Sequence, residues 1–422
     1  MAGSVSQTEQ LVASILLQLI AMIAAARIGN ALFRRMGQPG VIGEIVVGLA
    51  LGPSLFGYFF PGASVALFGS TASPVITILS QMGLVLLMFQ IGASFEFGQL
   101  DVPRLRRATL AIAAASIAVP FALGVLVGRL SAEALAPAID RTVYSLFCGV
   151  ALAITAMPIM GRILVEFRLE KSEIGVVAIS AAAVNDVVGW LLLAFLSAFA
   201  TAKLTGAGIA LTLAELAIFI MLLRWPLGPL VAWAIRRVPL RDGAIAPNLL
   251  GLLLCITFTL AIATFAIGVF AIFGGFAAGL LIHRHHDVAE AWRKQIGPFV
   301  LVFFLPIFFT STGLRTNILG MGQGGFSWLA LVLALAIVGK IVPVFLAARA
   351  SGFGARDAGL LGALMNTRGL MELIVLNVGR ELGFLPPSMF TMLVVMAVVT
   401  TLVTGPLLTM LLPKGGPARV DG

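Results

Sequence analysis

Long apolar runs recur along almost the whole chain, separated by short segments that hold most of its charged residues. A helix advances about 1.5 Å per residue, so roughly 20 mainly apolar residues cross a hydrocarbon core of about 30 Å. Charged residues make up 11% of this 422-residue chain, against about 25% in soluble proteins. The sequence therefore predicts an all-α polytopic membrane protein, with the lipid bilayer as its main partner.

Thirteen of these runs are candidate membrane spans. They lie at residues 9–33, 41–60, 74–97, 106–129, 141–165, 173–202, 208–235, 246–266, 268–283, 295–314, 326–349, 356–380 and 387–412. No hydrophilic stretch between them is long enough for a soluble domain. We therefore expect one membrane domain over residues 1–413 and a short tail over residues 414–422.

The basic residues lie mostly on one side of the predicted spans. The loops after odd-numbered spans, together with the tail, carry 19 of the 27 Lys and Arg residues, and the opposite loops carry 5. Because basic loops stay in the cytoplasm, the tail is predicted to be cytoplasmic and the N-terminus outside, in a plasma (inner) membrane. This pattern assigns the net charge of +9 to membrane orientation, and no nucleic-acid partner is expected.

The two halves of the chain share ordered motifs. The pairs are LVLLMFQIGASFEF (84–97) with LVFFLPIFFTSTGL (301–314), AVPFAL (118–123) with VPVFLAA (342–348), and the helix-interrupting TAMP (155–158) with MNTRG (365–369). The members of each pair lie seven spans apart, an odd number, so the two copies have opposite orientations. This pattern predicts inverted six-helix repeats over about 9–202 and 246–412, with a linking helix at about 208–235, as is typical of secondary transporters.

One acid stands alone in the sixth span. Asp186, in AAAVNDVVGW (181–190), is the only formal charge between Ile174 and Phe199. A carboxylate at that depth costs a few kcal/mol, so we expect it to face a cavity or a partner. Its oxygens suit Na⁺ or K⁺ and also bind a proton, so one group that holds either would couple two fluxes by competition. The structural alternative is an acid kept protonated in a helix contact.

Three more charged residues lie inside predicted spans. Lys340, in the eleventh span, either neutralises a carboxylate or a helix end, or releases a proton when it is desolvated. Arg368 and Glu372, in the twelfth span, are four residues apart, a spacing that allows an ion pair on one helix. The interruption at Thr155–Pro158 frees backbone carbonyls and leaves the partial charges of two half-helix ends facing each other.

Three histidines crowd into HRHHD (283–287), on the predicted cytoplasmic side. His283, His285 and His286 are candidate pH-sensing groups, because imidazole titrates near neutral pH, although a solvated loop is the simpler interpretation. Their spacing does not indicate a metal site, and no metal or other cofactor is expected.

Four stretches together resemble a known family: TAMPIMGRIL, GVVAISAAAVNDVVGWLLLA, LPIFFTSTGLRT and GALMNTRGLMELIVLNVG. They are similar to the monovalent cation:proton antiporter superfamily, and most of all to its second branch. That branch includes Kef-type potassium efflux systems, bacterial sodium/proton antiporters and plant cation/proton exchangers. The resemblance extends from about residue 15 to 410.

The resemblance implies an architecture and a set of roles. It implies a homodimer in which one bundle makes the dimer contact, while a core bundle with two crossed broken helices carries the ion by an elevator-like displacement. Asp186 would bind cation or proton, and Asn185 beside it and Thr155 at the first helix break would complete the ion-binding site. Lys340 matches the family's membrane lysine, with Arg368 and Glu372 as supporting charges. The implied function is exchange of Na⁺ or K⁺ for H⁺ in pH homeostasis.

Two departures from the family pattern matter. Asn185 stands where electrogenic members carry a second aspartate, so exchange is predicted to be electroneutral. The nucleotide-binding domain of Kef-type systems is not present in this sequence, and a separate regulatory subunit is not evident from it. A sodium-coupled organic anion symporter of related inverted-repeat fold and an ion channel remain alternatives. An enzyme is not expected, because no nucleophile–base arrangement is visible.

Overall fold

The computed structural model describes residues 7–69, 73–94, 103–169, 172–201, 206–238, 240, 243–267 and 270–412. The predicted tail at 414–422 lies outside these residues. The regular elements of this part of the chain are helices. The α-helices are α1 Gln7–Arg35, α2 Gly40–Ala50, α3 Phe56–Phe59, α4 Pro61–Phe68, α5 Pro74–Ala93, α6 Pro103–Leu135, α7 Arg141–Ala153, α8 Met157–Glu166, α9 Glu173–Thr201, α10 Gly206–Leu222, α11 Gly228–Arg237, α12 Pro247–Ala266, α13 Ala271–Ile282, α14 His286–Gln295, α15 Gly297–Phe299, α16 Leu305–Leu314, α17 Gly322–Ala350, α18 Ala355–Met365, α19 Leu370–Glu381 and α20 Pro387–Leu411.

Three short helical segments of other types complete the order. Leu223–Leu227 and Val300–Phe304 are π-helical, and Leu319–Met321 is a 3₁₀ turn. The first joins α10 to α11 and contains Pro226, which cannot donate a helical hydrogen bond. The predicted linking helix is therefore two α-helices joined by a π-helical turn.

Ten helical stretches in the described residues are long and apolar enough to cross a membrane. Three shorter apolar helices, α2, α7 and α13, lie at three further predicted spans. The polytopic all-helical prediction is confirmed, whereas the count of thirteen spans stays a prediction. The second predicted span, residues 41–60, is wrong as a single helix, because α2 ends at Ala50. A turn through Gly52 and Pro53 follows, and proline cannot continue a helix.

The chain divides into two compact units, and the first contains α5, α12 and α13. Within it α13 packs along α5 and against α12. Glycines allow the close approach: a Cβ on Gly275 would lie 2.4 Å from the carbonyl oxygen of Val85, and one on Gly279 would lie 2.2 Å from that of Phe89. The unit comprises the described residues of Met1–Ile23, Ala72–Phe97 and Ala194–Ser311.

The second unit contains both interrupted helices. Within it α6 packs along α7, and α17 packs against α6, α18 and α20. A Cβ on Gly124 would lie 2.4 Å from the carbonyl oxygen of Cys148, so α6 and α7 touch through their backbones. The unit comprises the described residues of Ala24–Thr71, Gly98–Leu193 and Thr312–Gly422. The inverted repeats and the dimerisation bundle stay predictions.

Candidate functional site

The first helix break lies where α7 gives way to α8. Residues 154–156 between them are non-helical, one residue earlier than the predicted TAMP interruption. Pro158 is the second residue of α8, a position where a missing backbone N–H costs no helical hydrogen bond. The last turn of α7 ends with carbonyl oxygens that have no donor within the helix.

The second break lies between α18 and α19, over residues 366–369, as the MNTRG motif predicts. Gly369 has a φ of 134°, a left-handed conformation that side chains rarely adopt. A Cβ there would lie 2.4 Å from Cδ1 of Ile159 in α8. Glycine is required for both reasons. The close approach to Ile159 also shows that the second break lies beside the start of α8, next to the first break.

Backbone and hydroxyl groups join the two breaks directly. The backbone N–H of Ala156 donates to the carbonyl oxygen of Thr367 at 3.0 Å. The hydroxyl of Thr155 donates to the carbonyl oxygen of Met365, the last residue of α18, at 3.4 Å. The two interrupted helices therefore meet at their breaks, and Thr155 lies at this contact.

Arg368 connects the second break to the end of α7. Its guanidinium is fully buried and donates to the carbonyl oxygens of Ala151 at 3.0 Å, Leu152 at 2.6 Å and Ile154 at 3.4 Å. It also lies 3.3 Å from the carboxylate of Glu372, which is the ion pair predicted from the four-residue spacing. A positive charge at a helix C-terminus opposes the negative end of the helix dipole, so Arg368 stabilises the break itself.

Asn185 uses its amide to hold α9 against the first break. Its side-chain oxygen accepts the backbone N–H of Thr155 at 3.0 Å. Its nitrogen donates to the carbonyl oxygen of Ala153 at 3.1 Å and to the hydroxyl of Ser116 at 3.2 Å. Ser116, on α6, was not predicted as a site residue. Asn185 thus joins α9 to the first break through both atoms of its amide, and its predicted part in ion binding stays a prediction.

Lys340, on α17, reaches the same atoms. Its ammonium is fully buried and donates to the carbonyl oxygen of Ser116 at 2.8 Å and to that of Ala153. Ala153 is the last residue of α7, so Lys340 satisfies a carbonyl that the break leaves without a helical donor. The side chain therefore contacts one helix end, that of α7, and one carbonyl inside α6. Contact with a helix end is one of the sequence interpretations, and release of a proton stays a prediction.

We expect Lys340→Gln to weaken the protein while leaving exchange in place. A glutamine is shorter, so at least one of the two carbonyls loses its donor, which costs about 1–3 kcal/mol of unfolding free energy. Thermal unfolding of the purified protein measures this loss, with Lys294→Gln on the exposed face of α14 as a matched control. A stable Lys340→Gln protein without transport would contradict this role and make the lysine a proton carrier.

Asp186 contrasts with its neighbours because its carboxylate is buried but unsatisfied. The residue is 5% exposed, and neither carboxyl oxygen accepts a hydrogen bond of normal geometry from the described residues. The backbone amide of Met157, at the start of α8, is a weak donor to the carboxylate, and the ammonium of Lys340 acts on it through its charge. Asp186 therefore lies at the positive end of the α8 half-helix with most of its hydrogen-bonding capacity unused.

Other buried oxygens near the second break also lack donors among the described residues. They are Oε2 of Glu372, Oδ1 of Asn366 and Oγ1 of Thr367, all on side chains that are fully buried. The ionisable groups of the two breaks are two acids, Asp186 and Glu372, and two bases, Lys340 and Arg368. Their formal charges sum to zero when all are ionised.

The three predicted pH-sensing histidines lie in the other unit. His283 and His286 line a cavity of about 560 Å³ together with Asp287, Glu290 and Arg293. Burial, and then the nearby charges of Arg236 and His283, lower the pKa of His285 below its ordinary value. His285 therefore takes up a proton only at a more acidic pH than a free histidine, and a pH-sensing role stays a prediction.

A polytopic helical protein with two interrupted helices meeting beside a buried, unsatisfied acid has the construction of a secondary transporter. Residues 19–414 match the family described as sodium/hydrogen exchanger, transmembrane, and the chain belongs to that family. The members are cation/proton antiporters, so the chain is a transporter rather than an enzyme, as the sequence predicts.

Individual relatives agree with this assignment. The Na⁺/H⁺ antiporter NhaS4 of Synechocystis sp. is 36% identical over 94% of this chain and 97% of its own length. K⁺/H⁺ antiporter 1 of Saccharomyces cerevisiae is 30% identical over 90% of this chain, which spans only 44% of the yeast protein.

A solved structure shows the same fold. The sodium proton antiporter MjNhaP1 of Methanocaldococcus jannaschii superposes with a TM-score of 0.65, covering 95% of this chain and 98% of the other. The two sequences are 16% identical, so this likeness concerns the fold alone.

Proposed function

We propose that the chain exchanges a monovalent cation, Na⁺ or K⁺, for H⁺ across a plasma (inner) membrane, with Asp186 binding cation and proton in competition. The single observation that carries the proposal is the state of the Asp186 carboxyl group. It is buried, and neither oxygen accepts a hydrogen bond of normal geometry from the described residues, the backbone amide of Met157 being only a weak donor. A carboxylate in that setting is costly unless it holds a cation or a proton.

The surroundings of Asp186 favour a reversible site. The amide of Met157 and the ammonium of Lys340 offset the negative charge when neither ligand is bound. Both groups also limit how tightly a cation binds, because they repel it. Asn185 keeps α9 in register with the break through Thr155, so the carboxylate has a fixed place in which either ligand can be exchanged.

An elevator-like displacement, in a homodimer, is the transport step that we propose. All the groups of the site belong to one of the two compact units, which supports movement of the site as a body. Asp186 protonated and Asp186 holding a monovalent cation have the same charge. Both loaded forms therefore avoid the energy of carrying an extra charge through the hydrocarbon core.

The cycle is expected to be electroneutral, because Asn185 cannot titrate. A membrane potential of 100 mV is worth ~2.3 kcal/mol for each net charge moved. In proteoliposomes with fixed Na⁺ or K⁺ and pH gradients, we expect the same reversal point with and without an imposed potential. A reversal point that moves with voltage would contradict electroneutrality and indicate that Lys340 releases a second proton.

The same vesicles separate the alternatives. An antiporter acidifies or alkalinises the lumen when Na⁺ or K⁺ is added, and running each cation in turn identifies the substrate. Cation flux without coupled proton movement, at rates above those of transporters, would indicate a channel. Uptake of an organic anion that depends on Na⁺ would indicate a symporter.

A further inference from the structure

The connection between the second and third predicted spans contains no charge. Between Glu44 and Glu96 there is no Asp, Glu, Lys, Arg or His. By the distribution of basic residues, this connection is predicted to lie on the side opposite the basic loops. A loop in water ordinarily contains charged residues. The composition of this connection is therefore not that of a solvent-exposed loop.

The preceding helix is too short to carry the chain out of the bilayer. α2 has 11 residues, so it rises by no more than about 16 Å, against about 30 Å of hydrocarbon. Its Glu44 pairs with Arg27 and accepts a hydrogen bond from Asn30 at 2.6 Å, which places these polar groups beside the first turn of α2. The residues after Ala50 therefore begin within the depth of the membrane.

The chain then folds back on itself. The ring of Phe56 in α3 lies 6.1 Å from that of Phe60 and 6.4 Å from that of Phe68 at the end of α4. Phe56 therefore lies near the residue before α4 and near the last residue of α4, so the segment is compact and does not continue across the membrane as an extended helix. Residues 55–68, called the aromatic hairpin below, are the two short helices α3 and α4, the residue that precedes them and Phe60 between them.

The outer face of the aromatic hairpin is strongly apolar. Tyr58, Phe59 and Phe60 are 65%, 64% and 62% exposed, and Leu55 and Val65 are at least half exposed. Tyrosine concentrates at membrane–water interfaces, where its apolar ring and polar hydroxyl are both accommodated, and the two phenylalanine rings beside Tyr58 are purely apolar. Five large apolar side chains on 14 successive residues would form an unfavourable patch in water.

Part of the hairpin backbone is satisfied by hydrogen bonds across the junction of its two helices. The amides of Phe59, Phe60 and Ser64 each donate to the carbonyl four residues earlier. Satisfied backbone groups favour entry into lipid.

The hairpin is also fixed at its base. Ser54 accepts the amide of Ile318 at 2.8 Å and donates to the carbonyl of Thr316 at 3.1 Å. A Cβ on Gly52 would lie 2.1 Å from the carbonyl oxygen of Gly313, so the turn leading into the hairpin packs tightly on the end of α16.

We propose that the aromatic hairpin is a membrane anchor that inserts Tyr58, Phe59 and Phe60 into the lipid leaflet opposite the basic loops. Its partner is the bilayer itself, at the boundary between head groups and acyl chains. The absence of charge, the length of α2 and the exposed rings support this anchor independently of the exchange activity.

Site-directed spin labelling tests the anchor directly. The native thiols of Cys148 and Cys255 are replaced by alanine, and the labelled position is Phe59→Cys in the full chain reconstituted in lipid vesicles. Ala138→Cys, exposed in the connection between α6 and α7, is the aqueous reference, and Leu126→Cys, exposed on α6, is the lipid-facing reference. Cation–proton exchange by the labelled proteins verifies that they are folded.

We expect the Phe59 label to be more accessible to oxygen than to a water-soluble nickel chelate, at a depth of about 5–10 Å below the head groups. Chelate accessibility equal to that at Ala138 would overturn the proposal by placing the hairpin in water. Low accessibility to both reagents would overturn it as well, because a protein surface, such as a second copy of this chain, would then cover the rings.

Discussion

Replacing Asp186 by asparagine is expected to abolish cation-dependent proton movement while the protein still folds. Asparagine has nearly the same shape, but it neither takes up a proton nor offers a negative charge to a cation. Because the carboxyl oxygens of Asp186 accept no hydrogen bond of normal geometry from described residues, and the amide oxygen of asparagine can still accept the weak contact from the backbone amide of Met157, the substitution costs little stability. The expected loss is at least about a hundredfold in rate, on the order of 3 kcal/mol or more.

The measurement is the change in lumenal pH when Na⁺ or K⁺ is added to vesicles that contain the purified variant. Glu215→Gln, which neutralises an acid on α10 in the other unit, is the matched control and should exchange at the wild-type rate. Thermal unfolding of both variants shows whether the fold persists. Near wild-type exchange by a folded Asp186→Asn protein would mean that another group carries the ion.

The location of the site could be predicted from sequence because polar residues stand out in an apolar span. Asp186 is isolated among apolar residues, and desolvation is so costly that a lone acid has few explanations. The second break could be predicted in the same way, because a continuous apolar helix would not contain the four consecutive residues Asn366, Thr367, Arg368 and Gly369. These signals are local, so one sequence suffices.

The partners across the site could not be predicted, because they are backbone carbonyls. Arg368 was paired with Glu372 from their spacing, but its contacts with the end of α7 depend on how two distant helices cross. Ser116 gives no signal, since a serine in a membrane helix is commonly satisfied by its own backbone. The prediction of residues 41–60 as one helix was wrong for a related reason. An apolar composition indicates that residues lie within the membrane, but it does not distinguish α2 followed by the aromatic hairpin from a single crossing helix.

Arg368→Gln is expected to destabilise the protein more than any other single change considered above. Two penalties arise together. The carbonyl oxygens of Ala151 and Leu152 lose a charged donor, and Glu372 becomes a fully buried carboxylate that has lost its ion-pair partner, with only the more distant charge of Lys340 to offset it. Breaking a buried pair by removing one partner costs about 3–5 kcal/mol, a large share of the 5–15 kcal/mol that ordinarily holds a fold together.

The two penalties can be separated, because only one of them depends on Glu372. In the variant that combines Arg368→Gln with Glu372→Gln, the unpaired charge disappears and the carbonyl penalty remains. The double variant lacks two native groups, but it should still be more stable than Arg368→Gln alone, by about 2–3 kcal/mol in free energy of unfolding. It should therefore unfold at a higher concentration of denaturing detergent. Glu372→Gln alone should be the mildest of the three, since Arg368 keeps its contacts with α7. If the double variant is as unstable as Arg368→Gln or less stable, Glu372 is not a charge that Arg368 must balance. The stability of the break would then depend on the capped carbonyls alone.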